Sequence, residues 1–312
     1  MKPETEPTLR KTLVIVGPTA AGKSDLAILL ARKYDGEIIS ADSRQVYRGL
    51  DIGSGKVTKS EQRLARHWLL DVASPKRNYN VTHFVRDAKK IIADIKKRGK
   101  LPIICGGTGF WIQALIEESA FPAVKPDAKL REKLGKLSAE KLFALLQKKD
   151  PARAKTIDKH NKVRLIRALE ICESLGTVPR QDSRFKIQDS NFLIIALNPN
   201  KEILRKNIEV RLEKRLKKGM IAEVKRLHTD GVSWKRLESF GLEYRWCAQY
   251  LQKKISRQDL EVLLPNDIWH YAKRQLSYLR RFEKLGAHIR WITDPKEVKS
   301  VIEKEKSSHP LG

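Results

Sequence analysis

Cysteine is nearly absent. The 312 residues hold three, Cys105, Cys172 and Cys247, far apart and with no CxxC pair or Cys/His cluster. That excludes a disulfide framework and a thiolate zinc site, and it fits a reducing compartment, so a cytoplasmic protein is expected. Long apolar runs are missing too: none exceeds strand length, and the opening MKPETEPTLRK has no apolar stretch. Neither a signal peptide nor a transmembrane helix is expected, and a membrane is not among the expected partners. No internal repeat or low-complexity block occurs. Acidic residues are scarce beside basic ones, 37 Asp and Glu against 64 Lys and Arg, a formal charge of +27. An excess of that size points to a polyanionic partner such as nucleic acid. A solvated lysine-rich surface would give the same sum, and charge speaks to partners and not to fold.

What is present has an α/β rhythm. Thr12–Val16 is a short apolar, β-rich run that stops at Gly17 and reads as a buried strand. Helical periodicity follows from Lys23 to Tyr34 through Leu26, Leu29 and Leu30. Glu37–Ser40 is a second strand and Leu101–Cys105 a third, with a basic amphipathic helix from Phe84 to Arg98 between them. This alternation predicts an α/β fold, a P-loop NTPase-like parallel sheet flanked by helices. Phe121, Pro122 and Pro126 then break the pattern, and 120–190 reads as a helical insertion domain, with Asn161 as an N-cap and a helix end near Gly176. Phe192–Leu197 would rejoin the sheet. Residues 200–285 read as helical and basic, with ten Lys/Arg against four Asp/Glu in 201–226. The core is therefore expected at 11–119 and 191–295, with a disordered tail at 1–10 and a charged, fraying tail at 296–312. A monomer is expected, since no large exposed apolar helix face is evident.

One motif carries chemistry by itself. Gly17-Pro18-Thr19-Ala20-Ala21-Gly22-Lys23-Ser24 matches GxxxxGK[ST] in full, after a predicted strand and at the start of a predicted helix. Backbone N–H groups of such a loop point inward, and the helix N-terminus adds partial positive charge. Lys23 supplies a point charge to a terminal phosphate, and Ser24 can ligate Mg2+. The motif does not say which phosphate compound is held. NTPases and kinases usually add a strand ending in a metal-holding Asp. Here the third strand ends in Gly106-Gly107-Thr108, and Asp71 is the available substitute. The second strand ends in Ser40-Ala41-Asp42-Ser43, and ligands bind at the carboxyl ends of parallel strands, so Asp42 should face the cleft beside Lys23. A carboxylate there could be a general base, an outer-shell metal ligand or a helix N-cap.

Several spans together resemble the tRNA dimethylallyltransferases, also called tRNA isopentenyltransferases. They are GPTAAGKS (Gly17–Ser24), IISADSRQVYRGLDIGSGK (Ile38–Lys56), IICGGTGFW (Ile103–Trp111), NKVRLIRALE (Asn161–Glu170), SFGLEYR (Ser239–Arg245) and YAKRQLSYLR (Tyr271–Arg280). The likeness runs through almost the whole chain in order, and it is to the bacterial type without a zinc finger. There are departures. Ile52-Gly53-Ser54-Gly55-Lys56 stands where the family commonly has Ile-Gly-Thr-Ala-Lys, Gly109-Phe110-Trp111 where it has Gly-Leu-Tyr, and Ser277-Tyr278 where it has Thr-Trp. Asn207 and Arg215 stand where an Arg and a Met are expected.

The resemblance implies transfer of a dimethylallyl group from dimethylallyl diphosphate to N6 of the adenosine at tRNA position 37, with tRNA as partner. It assigns Gly17, Pro18, Thr19, Ala20, Ala21, Gly22, Lys23 and Ser24 to the diphosphate, Ser24 also to the metal, and Asp42 to the base. Thr108 and Arg211 would hold the diphosphate or stabilise leaving-group charge, with Arg131 also reaching the site. Asp42, Ser43, Arg44 and Gln45 would meet tRNA, as would Arg164, Leu165, Ile166 and Arg167, then Phe240, Gly241, Tyr244 and Arg245, and Lys273, Arg274, Gln275 and Arg280. By spacing alone, Arg164 and Arg167 share a helix face, and Lys273, Ser277, Arg280 and Lys284 form a basic stripe that could equally be a solvated face. Gln275, polar amid that helix, could read a base edge. Two rivals stay open: a P-loop kinase for a small metabolite, and a non-catalytic RNA-binding protein that keeps the P-loop as structure.

Overall fold

The computed structural model describes residues 11–117, 121–122, 124–179 and 191–307. The chain divides into two compact units, one of Met1–Glu118 with Phe185–Gly312 and one of Ser119–Arg184.

The first unit is built on a six-stranded sheet. Its strands are β1 (Thr12–Val16), β2 (Gly36–Ser40), β3 (His67–Trp68), β4 (Leu101–Cys105), β5 (Phe192–Leu197) and β6 (Ile289–Ile292), in the spatial order β3-β2-β4-β1-β5-β6. Every pairing is parallel. Helices cover both faces, so β1 and β4 are buried along their whole length, which is why they read as unbroken apolar runs and not as alternation. The strand period of two still decides which core each side chain joins. Leu13, Ile15, Ile103, Leu193 and Ile195 pack with Leu26, Ala27 and Leu30 of the helix Lys23–Lys33. Val14, Val16, Ile104, Ile194 and Ala196 face the larger core, with Phe84, Trp111, Leu212 and Leu279. Register pairs Cys105 with both Ile15 and Ser40, so β1, β4 and β2 end level and release their three loops at one edge.

Two strands, the short helices Lys59–Leu64 and Gly109–Ile116 and the C-terminal helix lie outside the expected pattern. β3 has only two residues, and β6 has four in a charged setting, Ile289-Arg290-Trp291-Ile292; both form by pairing with a neighbour already in place. The tail expected to fray after 295 is instead ordered to Ser307, as a 3-10 turn Pro295–Glu297 and a helix Val298–Ser307. Val298 and Ile302, one helical turn apart, are 4% and 1% exposed and pack with Leu13 and Ile15, while Lys11 pairs with Glu305 at 2.6 Å. The many charges of the segment hid this short apolar stripe. The tail expected at 1–10, and residues 308–312, lie outside the described residues.

Among its described residues the second unit is all helix: Ala128–Gly135, Ala139–Lys149, Pro151–Ala154 and Lys162–Leu175. They enclose a small core of Leu134, Leu142, Leu146, Leu165, Leu169 and Cys172. Asn161 caps the last helix by accepting from the Arg164 N–H, and Gly176 ends it at φ 79°, a conformation that costs glycine little.

Candidate active site

The GxxxxGKS segment leaves β1 and enters the helix Lys23–Lys33. Its first glycine is required twice over. Gly17 has φ 141°, and a Cβ there would lie 2.7 Å from the Leu197 carbonyl oxygen of the adjacent strand. Ala20 and Gly22 also have positive φ, 64° and 82°, the kind of curl by which such loops turn N–H groups towards an anion. Lys23 Nζ donates to the Pro18 carbonyl at 2.6 Å, which folds the side chain over the loop. Burial pushes the Lys23 ammonium down to about 8, against opposing help from Cys105 and Asp42.

The neighbouring loops bring up the acid. At the end of β2, Asp42 Oδ1 accepts from the N–H groups of Arg44 (2.8 Å) and Gln45 (3.3 Å), a tight local turn that fixes the carboxylate. Its Oδ2 has no hydrogen bond to a described residue. Asp42 thus caps a turn with one oxygen and keeps the other for the cavity. Thr108 starts the helix Gly109–Ile116, and its Oγ1 accepts from the Ser43 N–H at 3.1 Å. The Thr108 N–H reaches the Ala41 carbonyl at 3.3 Å, so the β4 loop holds the β2 loop in place.

These loops enclose a cavity of about 80 Å³. Its polar lining includes Thr19, Lys23, Ser24, Asp42 and Arg211, with Tyr271 and Gln275 from the helix Arg257–Lys284. Its apolar lining is Ala27, Ile38, Val57 and Cys105. Ala27 lies one turn (~5.4 Å) beyond Lys23 on its helix, and Ile38 lies four strand residues (~13 Å) before Asp42, both away from the sheet edge. Burial, then the neighbouring Arg215 charge, lowers the Arg211 guanidinium to about 10. Burial raises the Tyr271 phenol to about 12, with the Asp42 charge acting the same way, so the phenol stays protonated at neutral pH. Cys105 is pushed up to about 12 by burial and is an inert thiol wall.

Other expected site residues fall elsewhere. Asp71, the available substitute for a metal-holding Asp, is ion-paired with the buried Lys56 at 2.5 Å and does not line the cavity. Gln275, expected to read a base edge, instead spans two loops: Oε1 accepts from the Thr19 N–H at 2.8 Å and Nε2 donates to the Gly107 carbonyl at 2.9 Å. Tyr244 and Phe240 are buried, and the Tyr244 hydroxyl is bound to Glu223 and Ser54, so neither presents a free face. Arg44 is half-buried, and its Nε donates to the Phe240 carbonyl. Gly241, at φ 76°, starts the helix Leu242–Leu251 and leaves Arg245 exposed. Lys273, Arg274 and Arg280 are exposed on the long helix. In the second unit Leu165 is core, Ile166 half-buried and Arg164 exposed. There Arg131 grips the buried Glu170 with two hydrogen bonds of 2.8 Å, and Arg167 bonds the same carboxylate. Burial alone would raise that carboxyl, but the two guanidiniums outweigh it and hold Glu170 at about 2. Arg131 and Arg167 therefore have structural work inside their own unit.

Sequence reasoning missed Tyr271 as a cavity residue, and it missed Glu223 and Glu243. Glu243 is buried beside Arg215 at 2.9 Å. Nothing in local spacing reveals contacts between residues so far apart in sequence. No cluster of three or more His, Cys, Asp or Glu able to cage a metal occurs among the described residues. No helix among them is long and apolar enough to cross a membrane.

A phosphate-cradling loop at the carboxyl edge of a parallel sheet, with a carboxylate in the same cavity, defines a P-loop α/β protein built to act on a phosphate compound. The IPP transferase family matches residues 45–282. "tRNA dimethylallyltransferase 2" of Treponema denticola is 45% identical over 285 residues, 90% of this chain and 95% of that one. "tRNA dimethylallyltransferase 1" of Geotalea uraniireducens is 40% identical over 296 residues, 93% and 96% of the two chains. Among solved structures, the tRNA isopentenylpyrophosphate transferase of Bacillus halodurans aligns with a TM-score of 0.69 at 29% identity, covering 96% of this chain and 99% of that one. A eukaryotic dimethylallyltransferase acting on tRNA has a TM-score of 0.77 at 24% identity, over 97% and 81% of the two chains, and shares the fold. The chain belongs to the IPP transferase family.

Proposed function

We propose that the protein transfers the dimethylallyl group of dimethylallyl diphosphate to N6 of the adenosine at position 37 of tRNA, next to the anticodon. The observation that carries this is the cavity lined by both Lys23 and Asp42, with Arg211 beside them and apolar side chains in the same lining. The loop Gly17–Ser24 receives the diphosphate through inward N–H groups and Lys23. Arg211 meets the charge that builds as the C1–O bond breaks and the electron pair leaves with the diphosphate. The adenine amine forms the new N6–C1 bond, and Asp42 takes the N6 proton through the oxygen that its turn leaves open. An exocyclic amine is a poor nucleophile, so alignment against C1 matters as much as the base. Thr108 acts one step removed, by holding Ser43 and with it the Asp42 turn. The loop, base and Arg211 all come from one unit of one chain, so a monomer suffices.

Mg2+ fits the residues present. The site offers the Ser24 hydroxyl and no all-protein cage, which suits an ion that keeps several waters and binds chiefly to phosphate oxygens. When bound, it would neutralise diphosphate charge.

The net charge of +27, with Lys273, Arg274 and Arg280 exposed, supports tRNA as the acceptor. The test is incubation of purified protein with unmodified tRNA and labelled dimethylallyl diphosphate, followed by nucleoside analysis. Label in N6-(dimethylallyl)adenosine is the expected result. Tight, magnesium-dependent ATP hydrolysis with no transfer would place the chain with the small-metabolite kinases.

A further inference from the structure

Four consecutive backbone N–H groups in the loop Asp51–Ser54 converge on one buried cluster. Glu223 Oε2 accepts from Asp51 (3.1 Å) and Ile52 (2.7 Å), and its Oε1 accepts from Gly53 (3.1 Å). The Ser54 N–H goes to the Tyr244 phenol oxygen at 3.0 Å, and that phenol donates to Glu223 Oε1 at 2.9 Å. Glu223 is 3% exposed and Tyr244 1%. Burial, with the Glu223 charge beside it, keeps the phenol protonated and so able to donate. A run of amides around an anion is how loops bind phosphate. Here the chain supplies the anion itself, from the helix Met220–Thr229.

The consequence lies on the other side of the loop. With these N–H groups turned towards Glu223, the carbonyls of Gly53 and Gly55 are presented to two arginines, Arg215 (3.3 Å) and Arg211 (3.3 Å). Gly55 also accepts from Gln45, which follows the Asp42 turn, at 3.3 Å. The two arginines differ in what else holds them. Arg215 has the buried Glu243 carboxylate at 2.9 Å. Arg211 has only the Gly55 carbonyl as a hydrogen-bond partner among the described residues. Its aim into the cavity therefore depends on where the loop stands.

We propose that Glu223 is a positioning residue for the proposed prenyl transfer, acting through the loop Asp51–Gly55 to aim Arg211 at the diphosphate; this rests on the functional reading above. A double-mutant cycle tests it. Glu223→Gln puts an amide N–H2 where a carboxylate oxygen faces N–H donors. It should lower kcat/KM for the donor by about 10- to 100-fold, the worth of hydrogen bonds to a buried charge. In an Arg211→Ala background the same change should cost less than about twofold, because its effect passes through Arg211. An equal factor in both backgrounds, or unchanged kcat/KM in the single variant, overturns the proposal. If Glu223→Gln does not fold, Tyr244→Phe removes two bonds of the same cluster, those to Ser54 and to Glu223, and a loss of about 3- to 10-fold should again vanish without Arg211. Affinity for inorganic diphosphate, measured by calorimetry in the same variants, separates two failures. No transfer by the wild-type protein sinks the functional reading. Diphosphate affinity that Glu223→Gln weakens equally with and without Arg211 sinks the positioning role alone.

Discussion

Lys23 gives the most direct physical handle on the phosphate site. Burial holds its pKa near 8 instead of 10.5, a difference of roughly 3 kcal/mol at 1.36 kcal/mol per unit. The folded pKa lies below the unfolded one, so the folded chain bears this cost in full below about pH 8. Between pH 8 and 10.5 the unfolded state binds more protons, and the cost is relieved as pH rises. A bound diphosphate favours the ammonium and raises the pKa again. Donor binding above pH 8 must then take up a proton, and affinity should fall about tenfold per pH unit there while staying flat below. Calorimetric titration with dimethylallyl diphosphate in two buffers of different ionisation enthalpy reads that uptake. It should be near zero at pH 7, approach one proton by pH 9, and disappear in Lys23→Ala, which should also bind the donor more weakly. Equal proton uptake at pH 9 in wild type and Lys23→Ala would refute the assignment of the cation.

Two further outcomes are expected. Replacing Lys273, Arg274 and Arg280 with Ala should weaken tRNA binding and flatten the slope of log affinity against log salt by roughly 0.7–0.9 per lost phosphate contact, with donor binding intact; the same three-charge loss at Lys296, Lys299 and Lys304 should not, and equal loss in both sets would mean that only net charge matters. Ile302→Ala should lower stability by about 2–4 kcal/mol in urea unfolding, since the buried side chain anchors the C-terminal helix; an unchanged midpoint would show that this helix adds nothing to the core.

Much of the site was legible because its chemistry is contiguous. Gly17–Ser24 is one loop, and Asp42 ends one strand, so position in a strand–loop–helix order was enough to place both in a cleft. β1, β4 and β5 were legible because burial on both faces removes polar residues altogether. β3 and β6 were not, since two- and four-residue strands exist only by pairing with neighbours. Gln275 and Tyr244 show the limit of helical periodicity: it says that a residue shares a face, not what covers that face. Gln275 spans to Thr19 and Gly107, and Tyr244 to Ser54, across more than 160 residues of sequence. Glu223 was invisible for the same reason, as an acidic residue in a basic helix whose partners are all backbone N–H groups and one phenol.

The central claim is that Asp42 is the base for prenyl transfer in the Lys23 cavity. It is tested most directly by single-turnover transfer from labelled dimethylallyl diphosphate to tRNA, comparing wild type with Asp42→Asn. The amide can still accept through one oxygen from the Arg44 and Gln45 N–H groups, so the turn should persist. The transfer rate should fall by about 10²–10⁴-fold, while tRNA and donor dissociation constants stay within a few fold. Transfer by Asp42→Asn at close to the wild-type rate, with both ligands bound, would contradict the account.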